Sequence, residues 1–271
     1  MLLIAGHDEN SNPIRTEKLF SAYKYYNTIV SNMKKASLLF PFLFCVFLNS
    51  CSAENEKETA SIPPEITAKT YKYLALGDSY TIGESVCDSC RFPAKLKVRL
   101  EKTLSKTTVD VKIIARTGWT TTNLINAITT ENPASDYDLV TLLIGVNNQY
   151  QHKNFSLYET EFPQLVTKAI TLAKGDRANV IVVSIPDYAY TPYGQSMGNT
   201  ATISAEIDQY NTFAQNYCSQ NNIAFVDITD ITREGLQHID LITYDALHPS
   251  QLAYSRFADR MLPKAINALS Q

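Results

Sequence analysis

Four short clusters of polar residues could together perform acyl transfer at a serine. Gly77-Asp78-Ser79 follows the apolar run Leu74–Leu76 and precedes polar residues able to open a helix. A serine leaving a buried strand, beside the free N–H groups of a helix start, can meet a substrate where developing negative charge is stabilised. By itself the tripeptide says little, since turns are rich in Gly, Asp and Ser. A serine hydroxyl needs a base, and among the four histidines His248 is placed best, three residues after Asp245 in Asp245-Ala246-Leu247-His248-Pro249. Asp245 can orient the imidazole and stabilise its charged form. His7 lies outside the folded part, while His152 and His238 fall in polar stretches and are expected to face solvent. Stabilising a tetrahedral oxyanion takes two or three converging donors. Gly118 in Arg116-Thr117-Gly118-Trp119 allows close backbone approach, and Asn147 in Gly145-Val146-Asn147-Asn148 supplies an uncharged N–H₂.

The elements that must position these residues are legible as alternation. Apolar, β-branched runs of strand length occupy Tyr71–Leu76, Val109–Ala115, Leu139–Ile144, Val180–Ile185 and Ile223–Ile228. Helical spacing marks Leu157–Ala173 and the segment from Tyr254 to Ala265. Strands apolar on both faces, alternating with helices, indicate an α/β fold with a five-stranded parallel sheet between two helical layers. In such sheets the working residues sit in loops at the carboxyl ends of the strands, and all four clusters fall there.

These four motifs, in this order, resemble the SGNH subgroup of the GDSL esterase/lipase family, and the similarity runs from Tyr71 to the C-terminus. "LLIGVNNQY" and "DALHPS" look like bacterial lysophospholipase/thioesterase-type members. The resemblance implies a flavodoxin-like, three-layer α/β/α sandwich. It implies Ser79 as nucleophile, His248 as base and Asp245 as its partner. It assigns the oxyanion hole to the Ser79 and Gly118 N–H groups and the Asn147 amide. No metal or cofactor is implied. Two positions depart from the family pattern. Tyr80 stands where the family name has Leu, and Asn148 stands where Asp is usual. Asp78 is expected to support the serine loop rather than react. Trp119, Asn148, Tyr150 and Tyr188 are expected to contact substrate. The aromatics there, with Tyr190 and Tyr193, either line an acyl or alcohol pocket or pack over helices. Tyr188–Asn199 is expected to be the specificity loop.

The 271-residue chain is 45% hydrophobic and 19% charged, with a net charge of −3. That composition suits a globular protein and gives no basic surface for nucleic acid. Ahead of the folded part, Met33-Lys34-Lys35, the apolar run Ala36–Leu48 and Leu48-Asn49-Ser50-Cys51 form a secretory signal pattern. The apolar run is too short for a bilayer, which needs roughly 20 residues. Leu-Asn-Ser-Cys resembles the lipobox of bacterial lipoproteins, which implies lipidation of Cys51 and a lipid anchor in the cell envelope, at the outer membrane. The expected organisation is a leader or mis-set start over 1–32, a signal over 33–50, a polar tether over 51–69 and a monomeric hydrolase domain over 70–271. Cys87-Asp88-Ser89-Cys90 could be redox-active, half a zinc site or a loop disulfide. No second pair with zinc spacing exists, and an oxidising compartment favours the disulfide. The substrate class implied is a carboxylic ester: a short-chain acyl ester, a lysophospholipid or an acetylated glycan. An acyltransferase using the same triad and a non-catalytic glycan- or lipid-binding lipoprotein are the alternatives.

Overall fold

The computed structural model describes residues 69–270. The expected leader, signal and tether up to residue 68, with Cys51, lie outside the described residues. Lys69, placed in the tether by sequence, instead begins the first strand. Five strands, β1 (Lys69–Gly77), β2 (Thr107–Ala115), β3 (Leu139–Leu143), β4 (Val180–Val183) and β5 (Ala224–Val226), form one all-parallel sheet. Their order is β2-β1-β3-β4-β5, the doubly wound, flavodoxin-like order. The reversal of winding falls between β1 and β3, the two strands that carry Ser79 and Asn147 at their carboxyl ends.

Burial explains the order. β3 and β4 are buried at every position, and β1 is buried from Tyr73 onward. Edge strand β2 is only partly buried. Each central strand is therefore apolar on both faces and needs helices above and below. Helices α2 (Phe92–Thr103) and α9 (Gln251–Leu269) pack together on one side. On the other, α5 (Phe155–Leu172) packs between α3 (Thr121–Glu131) and α7 (Thr200–Gln220). The periodic residues of α5, Tyr158, Phe162, Leu165, Val166 and Ala169, face the core as their spacing predicts, and Tyr254, Phe257, Ala258, Met261 and Ala265 do so in α9. Burying each large side chain contributes about 1.5–3 kcal/mol. Three short helices complete the carboxyl-end loops: α1 (Ser79–Ile82), α4 (Val146–Tyr150) and α6 (Pro192–Ser196), with α8 (Thr229–Arg233) after β5. Tyr188–Asn199 is thus not an open loop. It holds a 3₁₀ turn, Tyr188–Tyr190, and then α6, because Asp187 and Thr191 each cap the following turn.

Candidate active site

The serine turn works because Gly77 has no side chain. A Cβ there would lie 2.1 Å from Thr81 Oγ1 and 2.4 Å from the Leu143 carbonyl oxygen. The chain can therefore fold α1 straight back over the end of β1. Asp78 caps α1, its Oδ1 accepting from the Tyr80 N–H at 3.0 Å. Ser79 is the first helical residue, so its N–H has no partner within the helix. Its side chain lines a cleft that it shares with Tyr80, Gly118, Asn147, Leu247 and His248.

His248 is carried by a tight turn closed by Thr243 N–H donating to the His248 carbonyl at 2.8 Å and by the Ile242–Pro249 bridge. Inside it, Asp245 Oδ1 accepts from the Thr243 hydroxyl at 2.6 Å and from the Leu247 and His248 N–H groups, both at 2.9 Å. Asp245 Oδ2 lies 2.7 Å from His248 Nδ1. A carboxylate only accepts, so Nδ1 carries the proton and Nε2 keeps the lone pair that a base needs. Burial pushes the Asp245 carboxyl up, but hydrogen bonds from Ser85, Thr243 and His248 outweigh it and hold the group well below the usual carboxylate range. Asp245 therefore stays ionised beside the imidazole.

Ser85 was not legible in the sequence. Its hydroxyl donates to Asp245 Oδ2 at 2.6 Å, the same oxygen that faces His248, across 160 residues of chain. Ser85 sits at φ +65, a left-handed conformation uncommon outside glycine. It belongs to the loop between α1 and α2 that the Cys87–Cys90 disulfide closes, so the loop reading of that Cys-x-x-Cys holds here. Among the described residues no group of His, Cys, Asp and Glu is arranged to hold a metal ion.

Gly118 and Asn147, the expected oxyanion donors, reach the cleft from two further loops. Gly118 has φ +82, and a Cβ there would meet nothing within 4 Å, so its peptide is open to the cleft. Gln151 Nε2 donates to the Gly118 carbonyl, in the peptide that follows the Gly118 N–H, at 2.9 Å. Asn147 lies in α4, with Nδ2 directed at Asp78 Oδ2 over 3.4 Å. One amide hydrogen is thus given to Asp78. Asp78 is fully buried, and burial raises its carboxyl to about 7 against the hydrogen bonds from Tyr80 and Asn147.

Two expected substrate contacts are corrected. Asn148 is fully buried and turned away from the cleft. Its Oδ1 accepts from Thr121 N–H at 3.0 Å and its Nδ2 donates to Thr121 Oγ1 at 2.7 Å. The Thr121 hydroxyl in turn donates to Glu161. An aspartate at 148 would face that hydroxyl with a second acceptor, which accounts for the amide here. Trp119 packs against the core and does not line the cleft. Tyr150 and Tyr188 do line it. The Tyr188 hydroxyl donates to Gln149 Oε1 at 2.9 Å. His152 and His238 are exposed, as expected.

The loops are tied to one another around the mouth. Gln151 joins the end of α4 to Gly118. The Tyr150 and Tyr193 hydroxyls meet at 2.6 Å, joining α4 to α6. Tyr193 N–H donates to the Ala246 carbonyl at 3.0 Å, joining α6 to the histidine turn. Ser85 joins that turn to the disulfide-closed loop, whose Glu84 accepts from Thr117, next to Gly118. The ring of contacts closes on itself.

The family model for the GDSL-like lipase/acylhydrolase family matches residues 75–256, about two thirds of the chain. The chain belongs to that family. The GDSL-like acylhydrolase is accordingly an ester-hydrolysing serine hydrolase. No curated protein matches it by sequence. Solved structures share its fold. An acetylxylan esterase from Geobacillus stearothermophilus is 20% identical, with 74% of this chain and 96% of that one covered at a TM-score of 0.55. A lipase/acylhydrolase from Enterococcus faecalis is 20% identical, with 72% and 94% covered at 0.54. A psychrotrophic esterase from Pseudoalteromonas sp. is 16% identical, with 74% and 100% covered at 0.52. In this GDSL-like acylhydrolase, as in that fold generally, the cleft lies at the carboxyl ends of the strands.

Proposed function

We propose that the protein hydrolyses carboxylic esters through Ser79, His248 and Asp245, with Ser79, Gly118 and Asn147 as the oxyanion hole. The observation that carries this reading is the 2.7 Å contact between His248 Nδ1 and the ionised Asp245, in a cleft shared with Ser79, Gly118 and Asn147. The Ser79 hydroxyl attacks the ester carbonyl carbon while His248 Nε2 takes its proton. Negative charge forms on the carbonyl oxygen, where the Ser79 and Gly118 N–H groups and the Asn147 amide stabilise it. The C–O bond to the alcohol breaks as His248 protonates the leaving oxygen. Water then attacks the acyl-serine by the same proton relay and releases the acid. Asp245 holds the tautomer and stabilises the imidazolium without taking the proton.

The substrates that suit this cleft are short-chain acyl esters, acetylated glycans and lysophospholipids. Purified protein is expected to turn over p-nitrophenyl acetate, and Ser79→Ala to remove at least about 10³-fold of that rate. Equal turnover by the variant would refute the mechanism. We further propose that the enzyme is held at the cell envelope by lipid on Cys51, on the strength of the Leu-Asn-Ser-Cys ending after a short apolar run. Intact mass of membrane-extracted protein should show a chain starting at acylated Cys51, and a chain retaining Met1 would rule this out.

A further inference from the structure

The two backbone donors proposed for the oxyanion come from loops that the sheet does not hold together. Pairing of β1 with β2 ends at Gly77 and Ala115, and both Ser79 and Gly118 lie beyond that pair. Among the described residues one hydrogen bond crosses between the loop after β1 and the loop after β2, from the Thr117 hydroxyl to Glu84 Oε2. Thr117 contributes the carbonyl half of the peptide whose N–H belongs to Gly118. Gly118 sits at φ +82 with no side chain to restrain it, so that peptide can turn unless its neighbours hold it. Gln151 holds only the peptide on the far side. Glu84 is tied to the nucleophile as well, because its N–H donates to the Ser79 carbonyl at 3.0 Å. It is also fixed from behind. Gly83 at φ +78 and Ser85 at φ +65 turn the chain sharply on either side of it. A non-glycine residue in that region persists where its surroundings over-determine it, and here the Ser85 bond to Asp245 and the Cys87–Cys90 disulfide do so.

We infer that Glu84 is a positioning residue for ester hydrolysis: by accepting from Thr117 while bonded to the Ser79 carbonyl, it keeps the Gly118 N–H in register with the Ser79 N–H. The inference rests on the esterase reading above. Glu84 touches no reacting atom and acts through Thr117. An oxyanion hole stabilises charge only while its donors point at one place. The substrate's carbonyl is neutral before attack, so misdirecting one donor weakens the transition state far more than the bound ester. Loss of Glu84 is therefore felt in kcat and hardly in KM.

The test measures kcat and KM on p-nitrophenyl acetate for the wild-type enzyme, Glu84→Ala, Thr117→Val and the double variant. Each single change removes the same hydrogen bond from one side, and each should lower kcat about tenfold, a fraction of what losing an oxyanion donor outright costs. The double variant should be no slower than either single one, since a bond can be broken only once. Glu84→Gln keeps a side-chain oxygen that accepts from Thr117 and should recover most of the lost rate. If Glu84→Ala does not fold, judged by its thermal melt, Thr117→Val nearly preserves the side-chain shape and decides alone. The inference is overturned by a kcat within about twofold of wild type in folded variants, by losses that multiply in the double variant, by a loss carried in KM, or by Glu84→Gln being as slow as Glu84→Ala. Each of those results leaves the esterase reading intact. No Ser79-dependent turnover of any ester by the wild-type enzyme would instead overturn the esterase reading.

Discussion

Asp78→Asn should make this protein more stable and a poorer catalyst at once. The Asp78 carboxyl is fully buried, and burial raises it from its ordinary value of 3.8 to about 7. Below about pH 4 it is protonated in both folded and unfolded chains, and stability is unaffected. As pH rises, the unfolded chain loses this proton first while the folded chain keeps it. Stability is then lost at roughly 1.4 kcal/mol per pH unit until the folded group also ionises. The loss levels off above about pH 7, at about 4 kcal/mol at most. Asparagine does not titrate and caps a helix about as well as aspartate. In urea unfolding the variant should therefore be about 1 kcal/mol less stable than wild type near pH 4, where only the mispaired amide counts, and about 3 kcal/mol more stable by pH 8. That mispairing is the catalytic cost. Asp78 accepts on one oxygen from Tyr80 N–H and on the other from Asn147. With the substituted amide capping the helix through its oxygen, its N–H₂ group would face the N–H₂ of Asn147, which must turn. An oxyanion donor is worth about 10²–10³ in rate, and partial displacement should cost kcat on p-nitrophenyl acetate about 10- to 100-fold. A stability gap that stays flat from pH 4 to about 8 would refute the raised carboxyl. A kcat within about twofold of wild type would refute the positioning of Asn147.

Ser85→Ala and Ser85→Gly both remove the hydroxyl on Asp245, and each should lower kcat about fivefold, the rate equivalent of roughly 1 kcal/mol. The two should differ in thermal stability, with Gly the more stable by about 1 kcal/mol, because residue 85 is left-handed. Equal melting temperatures would count against the backbone reading, and an unchanged rate against the hydroxyl. Asn148→Asp should destabilise by about 1–3 kcal/mol at neutral pH, less in acid where the carboxyl is neutral, and Glu161→Gln should recover part of the loss by freeing the Thr121 proton. A variant as stable as wild type at neutral pH would refute the Asn148–Thr121–Glu161 arrangement. Asn147→Ala should lower kcat about 10²- to 10³-fold with little change in KM; a fall in kcat/KM carried by KM alone would deny Asn147 its place in the hole.

What was legible in the sequence was local. Strand runs, the amphipathic faces of α5 and α9, and the Asp245–His248 pair each lie within one window, where periodicity or spacing speaks directly. Ser79, Gly118 and Asn147 became legible as a set because a parallel sheet places all strand ends together. What stayed hidden depends on contacts between distant parts of the chain. Ser85 reaches Asp245 across 160 residues, and nothing in Gly83-Glu84-Ser85 announces it. The motif position of Asn148 suggested substrate, yet only its burial against Thr121 shows a structural part. Trp119 adjoins Gly118, but adjacency in sequence does not fix the direction of a side chain. Residues 188–199 read as a loop because their helices are a single turn each, shorter than any periodicity can register.

The closed ring of contacts around the cleft has a consequence for rearranging this chain. Each loop in that ring is held by neighbours on both sides, so new termini or an inserted domain there would break a circle and loosen more than one group of the proposed catalytic site. The opposite end of the sheet is different. Tyr71, near the start of β1, donates its hydroxyl to the Leu269 carbonyl near the end of α9 at 3.0 Å. The first strand and last helix of the domain therefore meet at that end, and a short linker could join them. The turns between α3 and β3 and between α5 and β4 carry no residue of the proposed site, and they are exposed at Asn132, Ala134 and Ser135 and from Lys174 to Arg177. They are the places where circularly permuted forms of the enzyme could begin.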